Sequence, residues 1–191
     1  MKEELILASA SPRRREILQT LGISYRIVVS DADELLPPDI APADAVEFLA
    51  GRKAAAVLPL VGEDALILAA DTVVAVDDDI LGKPADEAEA AVMLRRLSGR
   101  AHTVYTGVAL RRGEQVMITH EATRVHFAPL SETDIAAYIA TGEPADKAGA
   151  YAIQGRGAAF VEGIEGDYFN VVGLPARRVV TMLERFQVRK G

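Results

Sequence analysis

A long apolar run in the first half of the chain carries a single carboxylate near its centre. Residues 65–76 are hydrophobic except for Asp71 and Thr72. Such a run predicts a buried strand. A carboxylate in a buried strand costs free energy unless it is paired, binds a metal ion or takes part in catalysis. Asp71 is therefore a candidate functional residue, and the alternative is a place at a sheet edge facing water or an arginine.

Extended and helical patterns alternate along the rest of the chain. Besides residues 65–76, we predict strands at Glu4–Ala8, Tyr25–Val29, His102–Leu110, Val116–Phe127 and Ala158–Ile164. We predict helices that begin near Ser11, Asp44, Asp86, Ser131 and Pro175. This order indicates a mixed α/β fold, in which a mixed sheet is flanked by helices. Because no repeat or flexible linker interrupts residues 1–191, we expect a single domain.

Composition excludes several kinds of site. The chain has no cysteine, and its three histidines have no ligand-like spacing, so a thiolate or histidine zinc site is not expected. The net charge of −7 argues against nucleic acid as a partner. No apolar run is long enough to span a bilayer, and the acidic start Met1–Glu4 is unlike a signal peptide. We expect a cytoplasmic protein that does not bind membranes.

The segment Ser9–Arg15 joins the first predicted strand to the first predicted helix. It reads Ser-Ala-Ser-Pro-Arg-Arg-Arg, with Pro12 suited to the first helical position. Free N–H groups at a helix N-terminus, together with hydroxyl and guanidinium groups, suit a phosphate. The alternative is a capped surface helix with solvated arginines. The segment is not a P-loop, because the chain has no G-x-x-x-x-G-K-[ST] motif.

Two lysines and an acidic loop add charge near these segments. Lys53 follows Val46 by seven residues and so falls on the apolar face of its helix, where it either extends outward to water or points into a cleft. Lys83 lies in a Gly-Lys-Pro turn after the Asp71 strand. Glu34 belongs to a loop whose carboxylates are suited to Mg²⁺, although a solvated loop is the simpler interpretation.

A glycine-rich segment, residues 146–155, has no clear period and reads Asp-Lys-Ala-Gly-Ala-Tyr-Ala-Ile-Gln-Gly. Its glycines allow a ligand to approach the backbone. Gln154 offers both a donor and an acceptor, which suits the edge of a pyrimidine base. The pattern taken alone indicates only a glycine-rich loop.

Taken together, these segments resemble the Maf family of nucleoside triphosphate pyrophosphatases. The motifs that carry the resemblance occur in the family's order and extend from the first strand to the last helix. They are residues 7–14 (LASASPRR), 70–72 (ADT), 82–84 (GKP), 146–155 (DKAGAYAIQG) and 170–175 (NVVGLP).

The resemblance implies a cleft between two lobes in a fold related to inosine triphosphate pyrophosphatases. It implies metal-dependent cleavage of the α–β phosphoanhydride, with Asp71 as the proton acceptor that activates water. By the same resemblance, the substrate is selected by Arg13, Thr72 and Gln154. Phosphate-binding or activity-related positions are Ser9, Arg14, Lys53 and Lys83, and Glu34 helps Asp71 to hold the metal.

The residues at the selective positions resemble those of the subgroup that acts on dTTP and UTP. The expected cofactor is Mg²⁺ or Mn²⁺, the expected ligand is a nucleoside triphosphate, and a homodimer is the family expectation. Two alternatives remain: a non-catalytic, nucleotide-responsive regulator of septum formation and cell division, and a simple phosphate-binding module. A complete set of acidic and basic residues favours catalysis over both.

Overall fold

The computed structural model describes residues 5–29 and 31–188, without the side chains of residues 187 and 188. The acidic start Met1–Glu4 therefore lies outside the described residues. The helices are α1 (Pro12–Thr20), α2 (Pro42–Val61), α3 (Glu87–Leu97), α4 (Glu132–Ile139), α5 (Tyr168–Val172) and α6 (Ala176–Val188). The strands are β1 (Leu5–Leu7), β2 (Tyr25–Ile27), β3 (Leu66–Val76), β4 (Asp79–Leu81), β5 (Ala101–Arg112), β6 (Gln115–Phe127) and β7 (Val161–Glu165).

The described strands form one mixed sheet in the order β2-β1-β3-β5-β6-β7, and β4 pairs with the end of β3. β3 is parallel to β1 and antiparallel to β5, so it lies where the strand direction changes. Asp71 is paired in register with Gly107 of β5, and Thr72 with Thr106. The predicted mixed sheet with flanking helices is confirmed, and Asp71 lies on an interior strand rather than at an edge.

Successive side chains of β3 point to opposite faces of the sheet, and they pack into three clusters of core residues. Leu66, Leu68 and Ala70 pack with α1 and α6, and Val74 and Val76 pack on the same face with α3 and α4. Ile67 and Ala69 face the other way and pack with α2. Thr72 therefore lies between the two clusters of one face, and Asp71 faces α2.

Helix α2 crosses β5 at very short range. A Cβ atom at Gly107 would lie 2.1 Å from the Val46 carbonyl oxygen and 2.8 Å from the Glu47 nitrogen. Only a residue without a side chain permits this approach. Since Gly107 is the register partner of Asp71, the close packing brings α2 next to that carboxylate.

Helix α2 and the last strand begin at residues other than those predicted. Helix α2 begins at Pro42 rather than near Asp44, because the Pro42 ring suits the first turn, and it continues through Pro59 to Val61. Residues 156–160 form a 3₁₀ turn, so the last strand begins at Val161 instead of Ala158. The chain turns here because the backbone of residues 155–157 wraps around the carboxylate of Glu143 before entering β7. Within the described residues, no helix has both the length and the apolar character of a membrane span.

A buried histidine in the core gives the fold a pH-dependent stability. His102 is 3% exposed, its Nε2 lies 2.7 Å from the Tyr151 hydroxyl, and burial, with a smaller effect from His126, lowers its pKa from 6.5 to about 4. Between these values the unfolded chain binds a proton that the native chain does not, so stability falls as the pH falls below 6.5. The full effect is about 3 kcal/mol.

We therefore expect the free energy of unfolding, measured in urea at intervals from pH 6.5 to pH 5, to fall more steeply for the unmodified chain than for His102→Gln. The glutamine variant is the control because it cannot titrate, although it loses stability at every pH. Equal slopes in the two proteins would contradict a contribution from His102.

Candidate active site

A cleft of about 720 Å³ opens over the middle of β3. Its volume is typical of small-molecule sites. The walls come from the start of α1, the acidic loop before α2, the turn after β4 and the glycine-rich loop. The cleft is lined by all the residues singled out from the sequence, namely Ser9, Arg13, Arg14, Glu34, Lys53, Asp71, Thr72, Lys83 and Gln154.

Two carboxylates share one ammonium group at the bottom of the cleft. Lys53 of α2 forms a short ion pair with Asp71 and donates to Glu34 Oε1 at 2.8 Å. Asp71 is only 9% exposed, so its charge is compensated mainly by Lys53. The hydrogen bond from Lys53, with smaller effects from Lys83 and Arg14, lowers the pKa of Glu34 below its ordinary value. Lys53 therefore points into the cleft, which settles the alternative left open by its spacing.

Arg52, which precedes Lys53 on α2, connects the acidic loop to this helix by hydrogen bonds. Arg52 donates through Nη2 to Asp33 at 3.2 Å and through Nη1 to the Leu35 carbonyl at 3.3 Å. These two bonds flank Glu34 along the chain. They place its carboxylate toward Asp71 although the loop has no regular secondary structure.

Arg14 links the start of α1 to two distant parts of the chain. Its Nε donates to the Gly173 carbonyl at 2.8 Å, Nη1 to Ser9 Oγ at 3.1 Å and Nη2 to Thr72 Oγ1 at 3.2 Å. Burial, together with repulsion from Arg13, lowers the pKa of Arg14, while Asp71 and Glu34 oppose this effect. A guanidinium has five N–H groups, so Arg14 fixes the cleft wall and retains donors for an anion.

The hydrogen bond between Thr72 and Thr106 has a defined direction. Thr106 Oγ1 donates its one proton to the Asn170 carbonyl at 3.0 Å. Thr72 must therefore donate to Thr106, at 2.9 Å, and accept from Arg14. Thr106 was not predicted from the sequence. The signal that could have indicated it is a hydroxyl side chain within a largely apolar strand. In this arrangement Thr72 orients Arg14.

Two cations of the cleft remain available to a ligand. Arg13 and Lys83 have no ion-pair partner among the described residues, whereas Lys147 forms a short pair with Asp146. The Lys83 turn is joined to the glycine-rich loop by a bond from Gly149 N to the Gly82 carbonyl at 3.0 Å. Gly149 is required there, because its φ is +69° and a Cβ atom would lie 2.9 Å from the Val74 side chain.

The remaining predicted groups also face the cleft with free hydrogen-bonding capacity. Ser11 is the N-cap of α1, as predicted, but makes no side-chain capping bond; its N–H instead donates to Ser9 Oγ at 3.2 Å. The exposed Gln154 side chain makes no hydrogen bond within the described part of the chain. The cleft thus combines a buried carboxylate paired with Lys53, unpaired cations and the free amide of Gln154. This arrangement suits a ligand that has several negative charges and a separate polar group able to form hydrogen bonds.

A family model for Maf-like proteins matches residues 4–186. The chain belongs to the Maf family. It is 55% identical over 186 residues to a protein of Pelotomaculum thermopropionicum named dTTP/UTP pyrophosphatase, a match that covers 96% of this chain and 97% of the relative. A protein of Symbiobacterium thermophilum with the same name is also 55% identical, over 96% of this chain and 94% of its own length.

Likeness to solved structures is weaker. The structure of the Staphylococcus aureus Ham1 protein matches 66% of this chain and 72% of its own, with 14% identity and a TM-score of 0.48. The full-length sequence matches thus carry the assignment to the Maf family, and the motifs quoted above lie within the matched range of residues 4–186.

Proposed function

We propose that this chain, as a single Maf-like domain, hydrolyses nucleoside triphosphates to nucleoside monophosphate and pyrophosphate, with a preference for dTTP and UTP. The observation that carries the proposal is the arrangement around Asp71, a buried carboxylate paired with Lys53 below a cleft that holds unpaired cations. The name dTTP/UTP pyrophosphatase, borne by relatives 55% identical over nearly the whole chain, supports the reaction and the substrate.

The cations of the cleft are suited to hold the triphosphate. Lys83 supplies unpaired charge, and Arg14 supplies its remaining N–H groups. Ser9 accepts from Ser11 N and Arg14, which leaves its own proton for a phosphate oxygen. Fixed donors of this kind stabilise the charge that develops during phosphoanhydride cleavage.

Asp71 is assigned as the proton acceptor. A water molecule attacks the α-phosphorus, the bond from that phosphorus to the α–β bridging oxygen breaks, pyrophosphate leaves, and the water's proton passes to the Asp71 carboxylate. Lys53 orients this carboxylate through its ion pair. The acid lies in the cleft floor at 9% exposure, where its position is well defined.

A divalent cation, Mg²⁺ or Mn²⁺, fits the donor chemistry of Glu34 and Asp71. Both carboxylates already converge on one cationic group, Lys53 Nζ, and oxygen ligands suit these metals. The described residues include no group of three or more His, Cys, Asp or Glu side chains in metal-binding proximity. Two carboxylates with substrate phosphates and water are a usual environment for Mg²⁺. Such an ion would neutralise charge on the triphosphate.

Base selection is assigned to Arg13, Thr72 and Gln154. Gln154 offers a donor and an acceptor to the pyrimidine edge, and Arg13, at the start of α1, lines the same cleft. Thr72 acts through Arg14, to which its hydroxyl oxygen is bonded. The regulator hypothesis is not favoured, because relatives 55% identical over nearly the whole chain are named dTTP/UTP pyrophosphatase.

The deciding experiment is a panel of nucleoside triphosphates assayed for pyrophosphate and for inorganic phosphate, with Mg²⁺, with Mn²⁺ and with EDTA. We expect pyrophosphate and monophosphate as products, highest kcat/KM for dTTP and UTP, and loss of activity in EDTA. Binding of dTTP without turnover in either metal would support the regulator instead. Release of inorganic phosphate would place the cleavage at a different bond.

Replacing Arg13 or Gln154 by alanine is expected to change the ranking of nucleotides. Loss of one base-recognising hydrogen bond reduces discrimination about tenfold. The measurement is kcat/KM for dTTP and UTP relative to dCTP and GTP. The matched controls are Arg95→Ala, which breaks an exposed pair with Glu132, and Gln115→Ala at the start of β6, both outside the cleft. A ranking as in the unmodified protein would contradict the selective role.

We further propose a cytoplasmic homodimer without a nucleic-acid or membrane partner. The net charge of −7 supports the exclusion of nucleic acid. Light scattering of the purified chain tests the oligomeric state, and a monomer would contradict the dimer.

A further inference from the structure

The loop that carries Gln154 is anchored by two side chains that lie outside the motifs. Tyr138, at the end of α4, accepts a hydrogen bond from Ala152 N at 3.1 Å and donates to Glu143 Oε1 at 2.7 Å. Glu143 also accepts from Arg156 N at 3.0 Å and from Gly157 N at 3.2 Å. The pair therefore bonds the backbone on both sides of Gln154. We call Tyr138 and Glu143 the loop clamp.

The backbone at Gly155 and Gly157 packs directly against the two side chains of the loop clamp. A Cβ atom at Gly155 would lie 2.4 Å from the Glu143 carboxylate oxygens, and one at Gly157 would lie 2.8 Å from the Tyr138 hydroxyl. Both distances are below any ordinary contact. The residue that follows Gln154 must therefore be glycine for the carboxylate to reach the backbone beyond it.

Protonation states in the loop clamp match these bonds. Burial raises the pKa of Tyr138, and the bond to Glu143 raises it further, so the phenol keeps its proton and donates. Burial alone would raise the pKa of Glu143, but the bonds from Tyr138 and from two backbone N–H groups lower it overall. Glu143 is thus a carboxylate that accepts three bonds at neutral pH.

We propose that Tyr138 and Glu143 are positioning residues that hold Gln154 in the orientation needed to recognise the base. Gln154 is exposed and forms no hydrogen bond of its own within the described residues, so the direction of its side chain depends on the backbone at Ala152 and Arg156. The loop clamp fixes both of these points. This inference rests on the proposed function, in which Gln154 contacts the base.

The test compares Glu143→Ala, Glu143→Gln and Tyr138→Phe with the unmodified chain. We expect Glu143→Ala to raise KM for dTTP and UTP by up to about tenfold, the size expected for loss of the Gln154 bond to the base, while kcat changes less. The preference over dCTP and GTP should shrink. Glu143→Gln retains a carbonyl acceptor for Tyr138 and should fall between the alanine variant and the unmodified chain.

Matched controls separate the loop clamp from a general effect of charge or of a lost hydroxyl. Glu132→Ala removes a glutamate from the same helix that carries Tyr138, where it pairs with Arg95 at the surface. Tyr168→Phe removes an exposed tyrosine hydroxyl on α5. Both should leave the nucleotide ranking unchanged.

A second readout does not depend on activity. Hydrogen exchange at the amides of Ala152, Arg156 and Gly157 should be slow in the unmodified chain and faster in Glu143→Ala and Tyr138→Phe. Unchanged exchange would overturn the loop clamp. Faster exchange with an unchanged KM and ranking would make the clamp purely structural and would overturn the positioning role.

These outcomes are distinct from a failure of the proposed function. If the unmodified chain shows no preference for dTTP and UTP, the proposed function is contradicted and the selective role of the loop clamp is overturned with it. If the preference is present, only the variants decide the positioning role.

Discussion

Asp71→Asn should release pyrophosphate from dTTP about 10²- to 10⁴-fold more slowly than the unmodified chain, which is the range expected for loss of a general base. The amide has nearly the shape of the carboxylate but cannot take a proton from water. The fold should persist, since Lys53 retains its bond to Glu34 at 2.8 Å and is not left unpaired in the cleft. The measurement is kcat at saturating dTTP and metal.

The control for this variant is Asp79→Asn on the neighbouring strand β4. Like Asp71, Asp79 forms an ion pair, but its partner is Arg96 and the pair lies at the surface, outside the cleft. It should retain full activity, and both variants should bind dTTP. An Asp71→Asn protein with more than about a tenth of the original kcat would contradict the general-base role, because even the lower end of the expected effect exceeds this loss.

The part of the site that was predictable from sequence depends on local pattern. The apolar run around Asp71 predicted a buried strand, and the seven-residue spacing from Val46 to Lys53 placed the lysine on the apolar face of α2. The structure confirms both, and Asp71 and Lys53 meet because β3 and α2 pack face to face. Their roles in catalysis remain proposals.

The parts that were not predictable depend on contacts between distant residues. Glu143 bonds to backbone 13 and 14 residues away in a segment without periodicity, so no local pattern marks it. Thr106 is 34 residues from Thr72, and only the strand register makes them partners. The boundary of β7 was wrong because apolar residues 158–160 satisfy a strand pattern as well as they do a 3₁₀ turn.

Gly107→Ala is the substitution expected to damage the fold most. Its methyl group would lie 2.1 Å from the Val46 carbonyl oxygen and 2.8 Å from the Glu47 nitrogen. Both of these are backbone atoms, so no change of side-chain rotamer can relieve the contact. Forcing extra volume into such packing costs about 3 kcal/mol, the upper part of the usual range. The free energy of unfolding in urea measures this loss.

Gly163→Ala is the matched control, since Gly163 also lies in a strand, β7, and a Cβ atom there would meet nothing within 4 Å. It should change the free energy of unfolding by less than about 0.5 kcal/mol. Similar values for the two alanine variants would contradict the requirement for close approach of α2.

The same substitution also tests how the fold sets up the site. Gly107 is paired with Asp71 in the sheet, and the helix that it admits carries Lys53. Relieving the clash requires α2 to move away from β5, which separates Lys53 from Asp71 and leaves a largely buried carboxylate without its cation. Gly107→Ala should therefore lose kcat under conditions in which it remains folded, whereas Gly163→Ala should not. Full activity of the folded Gly107→Ala protein would show that the Lys53–Asp71 pair does not depend on this contact.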